Sequence, residues 1–204
     1  MARPRKDAEL ACARLRLVDA FWELLAHRSV QDITIGALTD AAGCNRATFY
    51  YHFEDMGALV DEAVRAEIDS GGLVAPEVFS AFAGGEADAL RRRVPATQLR
   101  RLCLVIRAGM FPVFERAVRD SVQRAWESRL CDSGESLDPA ATFAIQYMVG
   151  GMLGFAAWSA QGRRPRALAE AERAYLSDVA RATVDAVARA QGMSSDEVIE
   201  RIRS

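Results

Sequence analysis

Residues 34–53 restrict the fold more than any other part of the 204-residue chain. Their sequence, TIGALTDAAGCNRATFYYHF, contains two short helical patterns separated by Gly43. Thr34 can cap the first pattern, because its hydroxyl can accept a hydrogen bond from a free amide of the first helical turn. Gly43 tolerates the left-handed backbone that ends a helix and reverses the chain. The segment therefore predicts two short helices, about 35–42 and 45–52, in the pattern of a helix-turn-helix.

Helical periodicity continues through the rest of the chain, and no convincing strand or internal repeat is present. Asp138 before Pro139 is a strong helix start, and Ser194 with Glu197 has the spacing of a capping box. The sequence therefore predicts an all-α fold. Further helices are expected over about 7–28, 55–69, 139–161 and 166–190, two more between Pro95 and a turn-rich loop at 131–137, and a last short one after Ser194.

The stretch from Pro139 to Gly162 contains no charged residue and is long enough to suggest a transmembrane helix. However, alanine, glycine and polar residues dilute it, and three arginines follow within 163–166. Their position would require export of the N-terminal half without a signal peptide. A helix buried by neighbouring helices on one side and by a partner subunit on the other explains the pattern better. We therefore expect no membrane insertion and a cytoplasmic protein.

Composition argues against a largely disordered, a collagen-like or a disulfide-dense secreted chain. Half of the residues are hydrophobic and 26% are charged, as in ordinary globular proteins. The net charge of -2 gives no overall attraction to nucleic acid, so such binding needs a local patch. The four cysteines are far apart and only two histidines are present, so we expect no metal and no cofactor. Reduced thiols are the simplest expectation, with a redox-sensing cysteine as the alternative. No catalytic motif indicates an enzyme.

The second short helix has the composition of a DNA-reading helix. In a helix-turn-helix, the second helix enters the major groove and the first crosses the DNA backbone. The second helix must therefore present polar side chains outward, while Phe49 and Phe53 can anchor it from inside. Arg46 can pair with guanine through two hydrogen bonds, and tyrosine or histidine suits phosphate. The polar residues expected on the DNA-facing side are Asn45, Arg46, Thr48, Tyr50, Tyr51 and His52.

The run T-x-x-x-L-x-x-A-A-G-x-x-x-x-T-F-Y-x-H-F, preceded by the helix LVDAFWELLAHR, resembles the DNA-binding domain of the TetR family of bacterial transcription regulators. The resemblance covers about residues 8–65. It implies a homodimeric, all-helical regulator with an N-terminal helix-turn-helix domain of three helices over 1–54. It also implies a C-terminal helical domain over 55–204 that binds a small molecule and dimerises, with 55–69 as the connecting helix.

The resemblance also implies roles for individual residues. Thr34, Thr48, Tyr50 and His52 match phosphate contacts, and Arg46 and Ala47 stand where bases are commonly contacted. Two positions depart from the family pattern. Met56 stands where a lysine usually meets phosphate, and Gly36 stands where a polar side chain often reaches a base.

Local charge is low for a DNA-binding domain. Residues 1–60 contain seven basic and eight acidic residues, a net charge of -1, although basic patches supply most of the affinity in such domains. The only concentrated positive site is the arm formed by Arg3, Pro4, Arg5 and Lys6. We expect this arm to cross the phosphate backbone or to reach the adjacent minor groove.

The resemblance implies a ligand cavity and a dimer bundle of two helices from each subunit in the C-terminal domain. The effector candidates are bulky residues on helices expected to surround the cavity, and the dimer candidates lie on the two helices expected in the bundle. The effector candidates are Phe79, Ile106, Met110, Phe114 and Tyr147. The dimer candidates are Met148, Gly151, Phe155, Val179, Thr183 and Val187. The expected buried side of helix 166–190 carries Leu168, Tyr175, Val179, Ala182, Ala186 and Ala190.

Together, these expectations predict that the protein is a one-component repressor. A homodimer would bind a pseudo-palindromic operator in double-stranded DNA and leave it when an unidentified small-molecule effector binds. The alternative is a TetR-fold protein-interaction regulator with weak or no DNA binding. The methionine at position 56 and the low local charge favour that alternative.

Overall fold

The computed structural model describes residues 4–70, 95–158 and 168–203. Within these ranges every regular element is helical, which confirms the predicted all-α fold. The chain divides into two compact units. One comprises Met1–Glu67 and Thr97–Phe114, and the other comprises Ile68–Ala96 and Glu115–Ser204.

Helices α1 to α5 and one short 3-10 turn supply most of the first unit. Their bounds are Pro4–His27 for α1, Val30–Asp32 for the 3-10 turn, Ile35–Ala41 for α2, Arg46–His52 for α3, Met56–Ser70 for α4 and Ala96–Arg107 for α5. The apolar faces of α1 to α4 meet in one core, as the helical spacing of their side chains requires. Its almost fully buried side chains include Leu17, Phe21, Leu25, Leu38, Phe49, Phe53, Leu59 and Val64.

The N-terminal half of α5 is tied to α1 and α4 by polar contacts. Gln98 is only 2% exposed and donates from Nε2 to the carbonyl oxygen of Glu67 at 2.5 Å. Arg101 forms an ion pair with the Glu67 carboxylate at 2.7 Å, and its guanidinium lies 5.3 Å from the centre of the Trp22 ring. These contacts explain why α5 belongs to the same unit as the helix-turn-helix, although it is distant in sequence.

Four longer or terminal helices supply most of the second unit. Their bounds are Phe111–Leu130 for α6, Pro139–Trp158 for α7, Leu168–Gln191 for α8 and Ser195–Arg203 for α9. Helix α8 packs along α7 and also contacts α9. The core of this unit includes Val122, Trp126, Ala141, Ile145, Val149, Val184, Val187 and Ile202.

Side-chain caps fix three predicted helix starts. Thr34, Asp55 and Asp138 each accept a hydrogen bond from a backbone amide of the following helix, at 3.1, 2.8 and 2.7 Å. The predicted capping box at the start of α9 is only half formed. The Ser194 hydroxyl accepts from the Glu197 amide at 3.1 Å, but the Glu197 carboxylate pairs with Arg201 one turn later, at 2.8 Å.

The uncharged helix α7 is buried on one side only. Ala141, Ile145 and Val149 are buried, whereas Phe143 and Tyr147 on the opposite side are 69% and 74% exposed. None of the helices in the described ranges is long and apolar enough to cross a membrane.

Candidate nucleic-acid interface

The turn between α2 and α3 is held by its own backbone and by α1. Gly43 has a φ of +60°, which confirms the predicted left-handed conformation. The Cys44 amide donates to the Thr39 carbonyl at 2.9 Å, and Arg16 of α1 donates from Nε to the Ala42 carbonyl at 3.0 Å. These contacts fix the end of α2 and therefore the direction in which α3 leaves the turn.

Two phenylalanines seat α3 in the core. Phe49 is fully buried and Phe53 is 3% exposed, with ring centres 5.8 Å apart. On the opposite side, Tyr50 and Tyr51 are 58% and 68% exposed. The predicted division of α3 into an inner apolar face and an outer polar face is therefore present. Tyrosine combines a large apolar ring with a polar hydroxyl, so this exposed pair can serve as a binding surface.

The first turn of α3 is closed by Asn45, a role that the sequence analysis missed. Its Oδ1 accepts from the Thr48 amide at 2.8 Å and from the Thr48 hydroxyl at 3.1 Å. Asparagine is among the preferred N-cap residues, so the signal was available in the sequence. The cap engages the Asn45 side-chain oxygen, while Arg46 and Ala47 remain exposed at the start of the helix.

His52 lies less openly than predicted. Its ring is half-buried, and Nε2 is buried without a hydrogen-bond partner among the described residues. The ring meets Tyr51 edge-on at 5.0 Å between centres and lies 6.3 Å from the Phe53 ring. In this arrangement Nε2 does not point to solvent, so the structure does not support a phosphate contact through that atom.

The predicted basic arm is partly helical. Helix α1 begins at Pro4, so Arg5 and Lys6 lie in its first turn and not in an extended arm, while Arg3 falls outside the described residues. Proline at the first helical position favours this start, because its fixed φ suits a helix and its missing N–H is not needed there. Backbone or minor-groove contacts by Arg3, Arg5 and Lys6 stay a prediction.

Arg46 is the only lysine or arginine in 34–53. It takes part in none of the ion pairs formed within the described part of the chain. By contrast, Arg14 of α1 pairs with Glu62 of α4. Arg46 is exposed, so its guanidinium is accessible to an external anion or acceptor.

The family model for bacterial regulatory proteins of the tetR family matches residues 17–63. This range contains α2, α3 and the glycine turn, together with parts of α1 and α4. Residues 17–63 are a helix-turn-helix DNA-binding domain of the TetR type, which supports a TetR-type transcription regulator. No curated protein and no solved structure matches the chain significantly.

The effector candidates occupy different surroundings. Met110 and Phe114 are 8% and 5% exposed, Ile106 is half-buried, and Phe79 lies outside the described residues. Tyr147 is 74% exposed and its ring stacks on Phe143 with centres 5.8 Å apart. Tyr147 therefore lies on the surface of α7. Helical spacing alone could not distinguish this surface position from the wall of a cavity.

The dimer candidates also divide between interior and surface. Met148, Thr183 and Val187 are 4%, 6% and 0% exposed, and the Thr183 hydroxyl donates to Met148 Sδ at 3.4 Å. These three residues pack inside their own unit. Phe155 and Val179 are half-buried, and Gly151 is exposed.

The exposed side of α8 also differs from the prediction. Tyr175 is 69% exposed and Ala182 is exposed, although both were expected on the buried side. Alanines and short polar residues occur all around α8, so periodicity could not select the face that packs. The accessible surfaces of α7 and α8 are instead rich in aromatic and small residues, namely Phe143, Tyr147, Gly151, Gly154, Tyr175 and Ala182.

Proposed function

We propose that this protein is a one-component repressor of the TetR type that binds a pseudo-palindromic operator as a homodimer and is released by a small-molecule effector. The observation that carries the proposal is the geometry of α3. Phe49 and Phe53 hold the helix from inside, while Arg46, Tyr50 and Tyr51 face outward. A short helix with this division can enter the major groove, which admits an α-helix.

The exposed residues of α3 suit different parts of the DNA. The exposed guanidinium of Arg46 can donate two hydrogen bonds to guanine, and the Ala47 methyl can contact a thymine methyl. The hydroxyls of Thr34 and Tyr50 can donate to phosphate oxygens, which orient the helix without reading sequence. The Thr48 hydroxyl donates to Asn45 Oδ1, so it would have to leave that contact to donate to a phosphate. Asn45 still has its amide nitrogen for such a contact, because only its oxygen is used in the cap.

Dimerisation is supported by the exposed side of α7. Phe143 and Tyr147 stack with an interplanar angle of 26° and leave a large apolar area accessible. Gly151 and Gly154 follow on the same side and would let a partner helix approach closely. Among the described residues, no atom of another helix lies within 4 Å of where their side chains would begin. A twofold dimer would present two α3 helices to half-sites about one turn of DNA apart, roughly 34–36 Å.

Effector control is the third part of the proposal. A domain boundary at residue 54, with 55–69 as the connecting helix, would let a ligand of the C-terminal domain act on the DNA-binding domain. The buried Met110 and Phe114 with half-buried Ile106 supply apolar side chains of the kind that line ligand sites. The ligand can lower the affinity for the operator by no more than the ratio of its own affinities for the DNA-free and the DNA-bound forms of the dimer.

Operator binding can be tested with the full-length chain and a library of random duplexes. We expect selection of one palindromic site, and an affinity for it that falls at least about tenfold in Arg46→Ala, because a bidentate arginine–guanine pair is worth one to three kcal/mol. Arg116→Ala removes an exposed arginine from α6 and serves as the matched control, with unchanged affinity expected. Selection of no sequence, or equal loss in both variants, would contradict the proposal.

A protein-interaction regulator with weak DNA binding is the second candidate. The net charge of -1 over residues 1–60 and the single lysine or arginine in 34–53 favour it. The salt dependence of binding to the DNA upstream of its own gene separates the two candidates. A repressor loses affinity steeply as salt rises, since phosphate contacts release counterions, whereas the interaction regulator shows little binding at any salt concentration.

A further inference from the structure

Gly36, the second residue of α2, adjoins the side chain of Arg46. A methyl group on Gly36 would lie 3.4 Å from Nη2 of Arg46 and 3.8 Å from Oγ1 of Thr34, and no other side chain of the described residues would lie within 4 Å of it. Arg46 begins α3, so its guanidinium reaches back across the start of α2. It lies where a side chain longer than alanine at position 36 would extend.

No ion pair within the described residues holds the guanidinium of Arg46 in place, because no carboxylate there lies within ion-pair distance of it. An arginine side chain has several rotatable bonds. Without an ion-pair partner, it adopts the positions that its neighbours leave open. The missing side chain at position 36 is therefore what keeps this position open.

We infer that Gly36 is a specificity-determining position that acts through Arg46. By leaving the start of α2 open, it lets one arginine cover the part of the DNA-facing surface that a side chain of α2 would otherwise occupy. Gly36 is a positioning residue, while Arg46 makes the contact, and guanine is the base that a guanidinium selects. The inference rests on the proposed function, because Arg46 can select a base only if α3 enters the groove.

Substitutions at position 36 separate space from helix propensity. Gly36→Ala adds a methyl group at ordinary contact distance from Nη2, so the guanidinium can stay. Gly36→Leu adds carbon atoms beyond the methyl and displaces it. Both variants favour a helix more than glycine does, and neither adds a hydrogen-bonding group. Alanine is therefore the matched control for leucine.

The test compares base preferences of full-length variants on random duplexes. Arg46→Ala identifies the base pair at which guanine preference is lost. At that base pair, Gly36→Leu should lower the preference for guanine about tenfold, the worth of one good arginine–guanine pair, while Gly36→Ala keeps the original preference within about twofold. In the Arg46→Ala background, Gly36→Leu should cause no further change there. Circular dichroism melting curves show that each variant is folded.

Three results have different meanings. Unchanged guanine preference in Gly36→Leu overturns the inference and leaves the proposed function standing. The same holds if Gly36→Leu changes that preference equally with and without Arg46. If the unsubstituted chain selects no sequence at all, the proposed function fails, and the inference fails with it.

Discussion

Among single residues, the four cysteines differ in their exposure to solvent. Cys12 and Cys103 are exposed, whereas Cys44 and Cys131 are half-buried. Burial raises the pKa of the Cys44 thiol, and the positive charge of Arg16 offsets part of this effect. Burial also raises the pKa of the Cys131 thiol, although the hydrogen bond from Gln191 opposes the shift.

The cysteines should therefore react with iodoacetamide at different rates. At pH 8 we expect Cys12 and Cys103 to be labelled several times faster than Cys44 and Cys131, because the thiolate is the nucleophile. The raised pKa values of Cys44 and Cys131 also affect stability. The folded chain keeps these two thiols protonated above about pH 8.5, where an ordinary thiol ionises, so their contribution to the free energy of unfolding falls as pH rises. Peptide mass spectrometry measures the rates. Equal labelling of Cys44 and Cys12 at pH 8 would contradict this assignment.

Side-chain direction on α3 was predictable because Phe49 and Phe53 are four residues apart and must share one face of a helix. Their burial and the exposure of Tyr50 confirm that prediction. The position of His52 was not predictable, because its ring orientation depends on contacts with Tyr51 and Phe53. Helical spacing indicates a face, but it does not indicate which atoms of a side chain at the edge of that face reach solvent.

At the scale of elements, adjacent glycines in α7 have opposite surroundings. A methyl group on Gly150 would lie 2.8 Å from Nη2 of Arg119, which donates from Nη1 to the carbonyl oxygen of Gln146 at 2.9 Å. A methyl group on Gly151 would have no neighbour from another helix within 4 Å in the described part of the chain. Helix α6 therefore restricts one glycine of the pair and leaves the other unrestricted.

Alanine substitutions should reveal this difference in the free energy of unfolding. Gly151→Ala should stabilise the chain by up to about 1 kcal/mol, because alanine favours a helix interior. Gly150→Ala should lose that gain and be about 1–2 kcal/mol less stable than Gly151→Ala, since Arg119 must move away from Gln146. Urea unfolding measures both variants in a Phe143→Glu background, which removes any contribution of association through α7. Equal gains would show that Arg119 adapts without cost.

Helix starts and stops were largely predictable, whereas packing between helices was not. Asp138 before Pro139 defines the start of α7 locally, and the structure confirms it. The different roles of Gly150 and Gly151 could not be predicted, because Arg119 approaches from another helix. The same limit applies to Gln98, whose burial depends on Glu67, 31 residues earlier in the chain.

At the scale of the whole molecule, dimerisation through α7 is the most direct prediction. Phe143→Glu places a charge in the exposed aromatic area and should raise the dimer dissociation constant at least about 30-fold, as expected when an interface loses an aromatic residue worth about 2 kcal/mol. Leu15→Glu is the matched control, because Leu15 is 67% exposed on α1. Sedimentation equilibrium measures both variants. A monomeric unsubstituted chain, or equal weakening by both substitutions, would contradict the prediction.

The organisation of the chain was predicted in outline only. The sequence indicated an N-terminal helix-turn-helix followed by long helices, and a functional boundary at residue 54 stays a prediction. The compact units divide differently, since α4 stays with the first unit to Glu67 and Thr97–Phe114 joins it. The contacts of Arg101 with Glu67 and Trp22 account for this return, and such distant pairings leave no local sequence signal.

The shortness of α3 ties recognition to folding. Isolated helices of fewer than about 12 residues are only marginally stable in water, and α3 has seven residues. Its helical conformation therefore depends on the packing of Phe49 and Phe53 into the core. A synthetic peptide of 45–53 should have neither helicity nor affinity for an operator. Loss of DNA binding in a mutational scan will therefore have two origins, missing contacts and a loosened support. Only a parallel measurement of thermal stability will separate residues that contact DNA from residues that hold α3 in position.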